Sequence, residues 1–253
     1  MIATFLGTGT SQGIPVIACS CPVCQSLDYR DKRLRTSMHI AIENTSIVID
    51  TGPDFRQQML NENIKSLDAV LFTHEHKDHT AGMDDIRSFN FLQKKEMPIY
   101  ARSTVVNQLK REFAYVFEEH KYPGIPQVQI NFIENTTFRI NDIEIIPIET
   151  MHYQLPVYGF RVDNFAYITD TNYIREEEKE KLKNLDVLVL NALQKEKHIS
   201  HYNLEEAIAL IDELQPQSAY LTHISHKMGK HSDVQPSLPR NVHLAYDGLK
   251  LRV

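Results

Sequence analysis

The chain has 253 residues, of which 42% are hydrophobic and 24% charged, and this length and composition suit one sizeable core. Its formal net charge of -6 disfavours large nucleic acids as partners, since neutralising phosphates requires an excess of Lys and Arg. No apolar run approaches the roughly 18 residues of a membrane span, and the N-terminus lacks a secretory signal pattern. We therefore expect one domain over residues 1–253, located in the cytoplasm, with no membrane partner.

The N-terminal segment predicts a strand that leads into a glycine-rich loop at Gly7, Gly9 and Gly13. The spacing of these glycines is neither a Walker A motif nor a dinucleotide-binding fingerprint, so we interpret them as turn formers. A charged run over residues 28–36 follows, with Arg30, Arg33 and Arg35. Such a run usually forms a solvated face, and binding of a substrate phosphate is the alternative.

The cysteines of the chain lie close together, at C-x-C-x₂-C spacing. Cys19, Cys21 and Cys24 are too close for a disulfide framework, which favours a reducing compartment. Three thiolates need one further donor to complete a tetrahedral structural zinc site. Free thiols or a redox pair are the alternatives.

The most informative segment is 71–82, which reads L-F-T-H-E-H-K-D-H-T-A-G after an apolar strand over residues 68–73. Neutral imidazole and carboxylate oxygen are the usual non-sulfur ligands of zinc. His74 and His76 are two residues apart in an extended segment and point the same way, so they can share one ion. Asp78 and His79, beyond the turn, can then serve a second ion. The segment predicts a pair of neighbouring metals.

The motif H-x-H-x-D-H after a hydrophobic strand resembles that of the metallo-β-lactamase-fold hydrolases. The resemblance covers nearly the whole chain and implies an α/β protein, a four-layer αβ/βα sandwich with a dinuclear metal site at one edge of its two sheets. Asp50, at the end of a predicted hairpin over residues 39–50 that turns at 44–45, matches the aspartate that orients a ligand histidine in this family. A plain carboxylate at the end of a strand is the alternative.

The cysteine cluster resembles that of the PhnP-like phosphodiesterase group within this superfamily. In that group the fourth zinc ligand is a histidine three residues after the last active-site histidine. His223 and His226 match this pair, so the resemblance assigns His226 to the structural zinc and His223 to the second active-site ion.

Further segments predict the elements between these motifs. Helices are expected over residues 53–61, 84–91 and 103–117, strands over 97–101 and within 128–148, and a loop at 118–127 that leaves His120 exposed. His152 ends a strand in a chain that still lacks a third ligand for its first ion, so we predict it to be that ligand. The charged run 175–183 predicts a solvated helix face, and Asn203 is expected to cap a helix reciprocally with Glu206.

The resemblance assigns the remaining roles. Asp170 matches the carboxylate that bridges the two ions, and His201 matches the general acid, with His198 as its rival. His201 and Asp78 are the predicted catalytic residues. The predicted cofactors are two divalent ions, zinc or manganese, and one structural zinc. The predicted activity is hydrolysis of a small cyclic or nucleotide-like phosphodiester, similar to a phosphoribosyl 1,2-cyclic phosphate, by a hydroxide held between the two metals.

Several rival functions stay open on the sequence alone. A tRNA 3′-processing endonuclease shares the hydrolytic motif but has a substrate-gripping arm and lacks the cysteine cluster, and PqqB-type proteins carry a comparable cysteine–zinc element. A di-iron oxidoreductase would have Glu at position 76, where this chain has His76. A metal-binding module without catalysis is the last rival, and a homodimer is compatible with all of these.

Overall fold

The computed structural model describes residues 1–118 and 123–253, and its β-strands form two sheets. The first sheet contains β1 (Ile2–Gly7), β2 (Ser37–Ile42), β3 (Thr45–Ile49), β4 (Ala69–Leu71), β5 (Met97–Ala101), β6 (Val128–Phe132) and the last strand, β15 (Lys250–Arg252). Their order is β15-β1-β2-β3-β4-β5-β6. Strands β3 to β6 are parallel, so their carboxyl ends lie along one edge.

The second sheet lies across the core from the first. It contains β7 (Phe138–Ile140), β8 (Ile143–His152), β9 (Leu155–Val162), β10 (Phe165–Ile168), β11 (Tyr173–Ile174), β12 (Val187–Asn191), β13 (Ser218–Thr222) and β14 (Val242–Leu244). Their order is β11-β8-β9-β10-β12-β13-β14, with β7 paired to β8. Strands β10, β12, β13 and β14 are parallel.

The helices are short and connect the strands. They are α1 (Phe55–Asn61), α2 (Lys77–Thr80), α3 (Arg87–Gln93), α4 (Ser103–Glu112), α5 (Ala114–Phe117), α6 (Glu176–Lys179), α7 (Leu204–Leu214) and α8 (His231–Val234). Single 3₁₀ turns occur at Tyr29–Asp31, Met83–Ile86, Glu180–Leu182, His226–Met228 and Gln235–Ser237. No helix in the described part of the chain has the length and apolar character that crossing a membrane requires.

The alternation of side chains along the strands explains the layers. On β3, Ile47 and Ile49 pack between the two sheets, whereas Val48 faces the helices α1, α3 and α4. On β12, Val189 packs between the sheets and Leu190 faces α7. Both sheets are therefore covered on two faces, which is why their strands are continuously apolar. The predicted four-layer αβ/βα sandwich is confirmed.

Most predicted elements are confirmed, with local differences. The capping box of Asn203 and Glu206 begins α7 as predicted. The helix predicted over 103–117 is interrupted at Phe113, whose φ of -118° is not helical. The hairpin of β2 and β3 turns one residue earlier than predicted, at Glu43 and Asn44, because Glu43 takes a left-handed φ of 51°. The prediction for His120 lies outside the described residues.

The N-terminal loop packs against the arginine-rich run. A side chain at Gly7 would place its Cβ 2.0 Å from the Arg35 carbonyl oxygen, so this glycine permits close approach of two backbones. Arg33 is buried and donates to Thr8 Oγ1 at 2.7 Å, and Arg35 pairs with Asp54 at 3.1 Å. Arg33 and Arg35 therefore make their contacts within the protein. The prediction of a solvated face is wrong for Arg33, because this side chain is buried. The same burial prevents Arg33 from binding the phosphate of a substrate.

Candidate metal centre

Three histidines from two elements form the first donor cluster. His74 and His76 follow β4, His152 ends β8, and one donor atom from each lies within 4.8 Å of the others. His74 Nε2 is 3.0 Å from His76 Nδ1. His152 Nδ1 lies 2.9 Å from the Ser200 carbonyl oxygen, to which it donates, so His152 Nε2 keeps a free lone pair for a ligand.

Two carboxylates and two histidines form the second donor cluster, again within 4.8 Å of one another: Asp78, His79, Asp170 and His223. His79 Nε2 is 3.3 Å from Asp78 Oδ2 and 3.2 Å from Asp170 Oδ2. His223 Nε2 is 3.1 Å from Asp170 Oδ1. Ligands of one tetrahedral zinc ion, about 2.0–2.2 Å from the metal, are about 3.3–3.6 Å apart, and these contacts are close to that spacing.

Asp50 orients one histidine in each cluster. Its Oδ2 accepts from His79 Nδ1 at 2.6 Å and from the Thr73 hydroxyl at 2.8 Å. Since that hydroxyl donates to Asp50, it accepts from His74 Nδ1, which is 2.9 Å away. Both rings therefore present Nε2 to the centre. Asp50 is fully buried, so an incidental carboxylate at a strand end does not describe this residue.

Three of these residues have unusual backbone conformations. Asp50, Asp170 and His223 have φ values of 65°, 53° and 55°, in the left-handed region that non-glycine residues rarely enter. They lie just beyond the ends of three strands, β3, β10 and β13 respectively. The chain turns sharply at these positions and directs the side chain to the common edge of the sheets. Such strain is typical of functional sites.

The charges of the second cluster favour a cation. Burial opposes a charged imidazole, yet the carboxylates of Asp170, Asp78 and Asp50 raise the pKa of His79 well above its usual value. Burial likewise opposes ionisation of Asp170, but its pKa is held well below the usual value by His223 and His79. Three buried or half-buried carboxylates thus surround one imidazole, and a divalent ion held there would balance this charge.

Unpaired nitrogen atoms support the same conclusion. His79 Nε2 and both ring nitrogens of His223 are buried, and none of them forms a well-oriented hydrogen bond among the described residues, although carboxylate oxygens of Asp170 lie 3.2 and 3.1 Å from the two Nε2 atoms. Buried polar atoms in folded proteins are nearly always paired, so such atoms in a ring of carboxylates are suited to metal coordination. The residues present therefore fit a pair of divalent ions.

His201 lies between the two clusters. Its ring centroid is 4.6 Å from that of His152 and 4.8 Å from that of His223, and its Nδ1 is 4.0 Å from Asp170 Oδ1. Asp170 forms a third donor group with His152 and His201, which places this carboxylate between the clusters. Burial lowers the pKa of His201 to about 3. His198 is exposed, with its ring centroid 5.2 Å from that of His201, so the structure brings His201 rather than His198 to the centre.

The three cysteines lie around His226, the residue that the family resemblance implies as the fourth donor. His226 Nδ1 is 3.3, 3.5 and 3.4 Å from the sulfurs of Cys19, Cys21 and Cys24. Sulfur and nitrogen ligands of one tetrahedral zinc, about 2.3 and 2.0–2.1 Å from the metal, are about 3.5 Å apart. The backbone N–H of Cys24 donates to the sulfur of Cys21. This hydrogen bond is the main reason that the pKa of Cys21 falls to about 6. This cluster fits a structural zinc ion.

Sequence reasoning missed the groups that orient the donors. The Thr73 hydroxyl, the Ser200 carbonyl and the side chain of Asn172 all contact the centre or its immediate surroundings. Thr73 directly precedes His74, and Asn172 follows Asp170 by two residues. Their position next to predicted ligands was the one sign in the sequence that could have indicated these two residues. A backbone carbonyl such as that of Ser200 carries no signal in the sequence.

Comparison with known proteins shows the family and the fold of this chain. The Beta-lactamase superfamily domain matches residues 45–224. A crystal structure of a new diphosphatase from the PhnP family is 36% identical to this chain, with a TM-score of 0.94 over 100% of this chain and 97% of the other. Zinc-bound PqqB from Methylobacterium extorquens is 16% identical, with a TM-score of 0.81 over 100% of both chains. Human tRNase Z, short form, is 17% identical, with a TM-score of 0.74 over 100% of this chain and 99% of the other.

A curated relative is much longer than this chain. The octanoyltransferase of Porphyromonas gingivalis is 39% identical over 253 residues, which is 99% of this chain but 51% of that protein. The chain therefore spans about half the length of this relative.

Proposed function

We propose that this chain, which belongs to the beta-lactamase superfamily and within it to the PhnP family, hydrolyses small phosphoric diesters. It is a metal-dependent hydrolase of that fold. The observation that carries the finer proposal is the position of His201, which lies beside His152 of the first donor cluster and beside His223 and Asp170 of the second. One centre can thus hold the phosphoryl group while a neighbouring imidazole serves the departing oxygen.

The proposed ligands follow from the two clusters. His74, His76 and His152 would hold one ion, and Asp78, His79 and His223 the other, with Asp170 between them. A bound pair of divalent ions supplies a nucleophile from water near neutral pH and offsets the charge of the phosphoryl group. Imidazole and carboxylate donors suit zinc and manganese alike, whereas the cysteine cluster is selective for a thiophilic ion such as zinc.

The chain's own residues would then position and transfer protons. Asp50 fixes the tautomers of His79 and His74, and the Ser200 carbonyl fixes that of His152. His201 would donate a proton to the alkoxide that leaves phosphorus. A bound phosphodiester brings a negative charge next to this buried ring and raises its pKa, so binding of substrate itself favours the protonated form.

A diphosphatase is the second candidate, because the PhnP-family structure that is 36% identical is described as one. Its reaction cleaves a phosphoanhydride, whose leaving group is a phosphate and needs less protonation than an alkoxide does. The two candidates therefore differ in their dependence on His201.

RNA processing, cofactor synthesis, di-iron redox chemistry and acyl transfer have less support. The solved structures of human tRNase Z and of PqqB from Methylobacterium extorquens are each less than 20% identical to this chain and show a shared fold only, so the first two functions are not proposed. His76 belongs to the first donor cluster as histidine, which continues to disfavour a di-iron oxidoreductase. Acyl transfer is named for a relative twice as long, and the imidazoles and carboxylates of the two donor clusters do not favour it.

A substrate panel tests the proposal. The metal-loaded protein should be assayed with cyclic ribosyl phosphates, 2′,3′-cyclic nucleotides, a nucleoside diphosphate derivative and a short RNA. We expect turnover of one or more small diesters and its loss after chelation of the metals. Exclusive turnover of the diphosphate derivative would favour the second candidate, and turnover of none would contradict both.

A further inference from the structure

A cleft opens beside the first donor cluster. Its volume is about 530 Å³, and its lining includes His76 and His152, so whatever fills the cleft lies next to the centre. This volume is within the range of sites that bind small molecules. The remaining walls come from two segments, the turn between β8 and β9 and the loop that precedes His201.

The two walls present apolar surface to solvent. Tyr153, on the first wall, is 53% exposed, and Ile199, on the second, is 68% exposed. Leu155 adds a half-buried side chain beside Tyr153. A tyrosine and an isoleucine with this exposure, from two segments that line one cleft next to the first donor cluster, are suited to pack against a flat group.

Asn172 holds the two walls together. Its Oδ1 accepts from the Tyr153 backbone N–H at 2.7 Å, and its Nδ2 donates to the Ile199 carbonyl at 3.2 Å. Its own backbone N–H donates to the Met151 carbonyl at 2.9 Å. Asn172 follows Asp170 by two residues, so the same short segment positions a carboxylate of the centre and both walls of the cleft. The cleft is therefore preorganised relative to the donor clusters.

The described lining of the cleft contains polar side chains but lacks acidic residues, lysine and arginine. Among the described residues that line the cleft there is no Lys, Arg, Asp or Glu, and the polar side chains besides the histidines are Tyr153, Gln154 and Ser200. A site for a second phosphate would need cations or several N–H donors. Hydroxyl and amide groups instead match the edge of an uncharged ring.

We infer that this cleft binds an uncharged planar group of the substrate, of the class of a nucleoside base, attached to the phosphoryl group at the centre. The inference rests on the proposed function and specifies its substrate class. Stacking on Tyr153 would supply affinity, and Gln154 would contact the edge of the ring. Stacking of a base on an aromatic side chain tolerates different bases, so we expect a preference for nucleotides without strong discrimination among bases.

The test compares binding of two ligands that differ in the base alone. Adenosine 5′-monophosphate and ribose 5-phosphate are titrated by calorimetry into the metal-loaded wild type and into Tyr153→Asn. Asparagine tolerates the left-handed φ of 57° at this position, so the variant removes the ring and keeps the turn. Tyr153→Phe retains the stacking surface, and Phe91→Ala is a matched control because Phe91 is 64% exposed on α3, outside the cleft.

We expect the wild type to bind the nucleotide at least about fivefold more tightly than ribose 5-phosphate, from the usual strength of base stacking. Tyr153→Asn should lose most of this preference without weaker binding of ribose 5-phosphate, while Tyr153→Phe and Phe91→Ala should keep it. Equal binding of the two ligands, an unchanged preference in Tyr153→Asn, or no binding of the nucleotide at millimolar concentration would overturn the inference. Hydrolysis of diesters without a base preference would contradict this inference alone, whereas a base preference without any hydrolysis would contradict the proposed function.

Discussion

His223 and His226 are three residues apart, yet the first belongs to the second donor cluster and the second to the cysteine cluster. The segment between them is fixed by the N-terminal loop, because the Ile224 N–H donates to the Thr8 carbonyl at 2.8 Å and the Ile224 carbonyl accepts from the Thr10 N–H at 3.1 Å. A zinc ion in the cysteine cluster would therefore stabilise the position of His223.

Replacing one sulfur ligand tests this coupling. Cys24→Ser should remove one zinc per chain and lower Tm by at least about 5 °C, since each kcal/mol corresponds to roughly 2–4 °C in a chain of this size. Affinity of the active centre for metal should also fall, because His223 loses its support. Elemental analysis, calorimetry and metal titration measure the three effects. Ser20→Ala, an exposed change in the same loop, is the control, and an unchanged zinc content in Cys24→Ser would contradict the assignment.

The role of His201 predicts a dependence on the leaving group. His201→Ala should reduce kcat by about 10² to 10⁴ for a diester with an alkyl leaving group, the usual contribution of a general acid. The loss should be much smaller for p-nitrophenyl esters, whose leaving group departs without protonation. Steady-state rates over a series of leaving groups measure the difference. His198→Ala, three residues away and exposed, should behave as wild type. Equal losses on all substrates would mean that His201 does not donate the proton.

Asp50 is predicted to act on both clusters through His79 and Thr73. In Asp50→Asn the charge that orients these groups is lost, so metal affinity should fall about 10- to 100-fold, as for other residues that support metal ligands. Titration of the metal-stripped protein with Mn²⁺ measures the affinity. Asp142→Asn, a change in an exposed turn distant from the centre, should leave it unaltered. Wild-type affinity in Asp50→Asn would refute the role of this carboxylate.

Buried His39 predicts a pH dependence of stability apart from the metal centre. Burial lowers its pKa to about 4 from the usual 6.5, and its Nε2 contacts Ser46 Oγ at 2.8 Å. Between these values the unfolded chain binds a proton that the folded chain does not, so stability falls as pH decreases from about 6.5 to about 4. Urea unfolding at pH 7 and pH 5 should show a smaller loss for His39→Gln than for wild type. An identical loss in both proteins would show that His39 does not contribute.

The clustering of the donor residues was predictable because most of them lie at or just beyond the ends of apolar strands, and the carboxyl ends of parallel strands meet at one edge. His74, His152 and His223 all occupy such positions. The cysteine spacing predicted a zinc site, although its fourth ligand came from a family resemblance. That contact joins residues 202 positions apart in the case of Cys24 and His226, and no local pattern encodes it.

Several features depend on contacts that a single sequence does not display. The left-handed backbone of Asp170 is a response to packing at the end of β10, since aspartate has only a modest preference for that region. Arg33 lies in a charged run, but its burial against Thr8 depends on how the N-terminal loop folds over it. The hydrogen bonds by which the Asn172 side chain links Tyr153 and Ile199 likewise depend on the tertiary structure.

The most direct test of the central claim is a titration of metal-stripped protein with Mn²⁺, in which hydrolysis of bis(p-nitrophenyl) phosphate is followed against bound metal. Cys19, Cys21, Cys24 and His226 should be filled with zinc beforehand, so that the titration reports on the active centre alone. We predict that activity rises until two ions are bound per chain and that Asp170→Asn abolishes this response. Full activity in the stripped protein, or no activity at any metal content, would contradict the account.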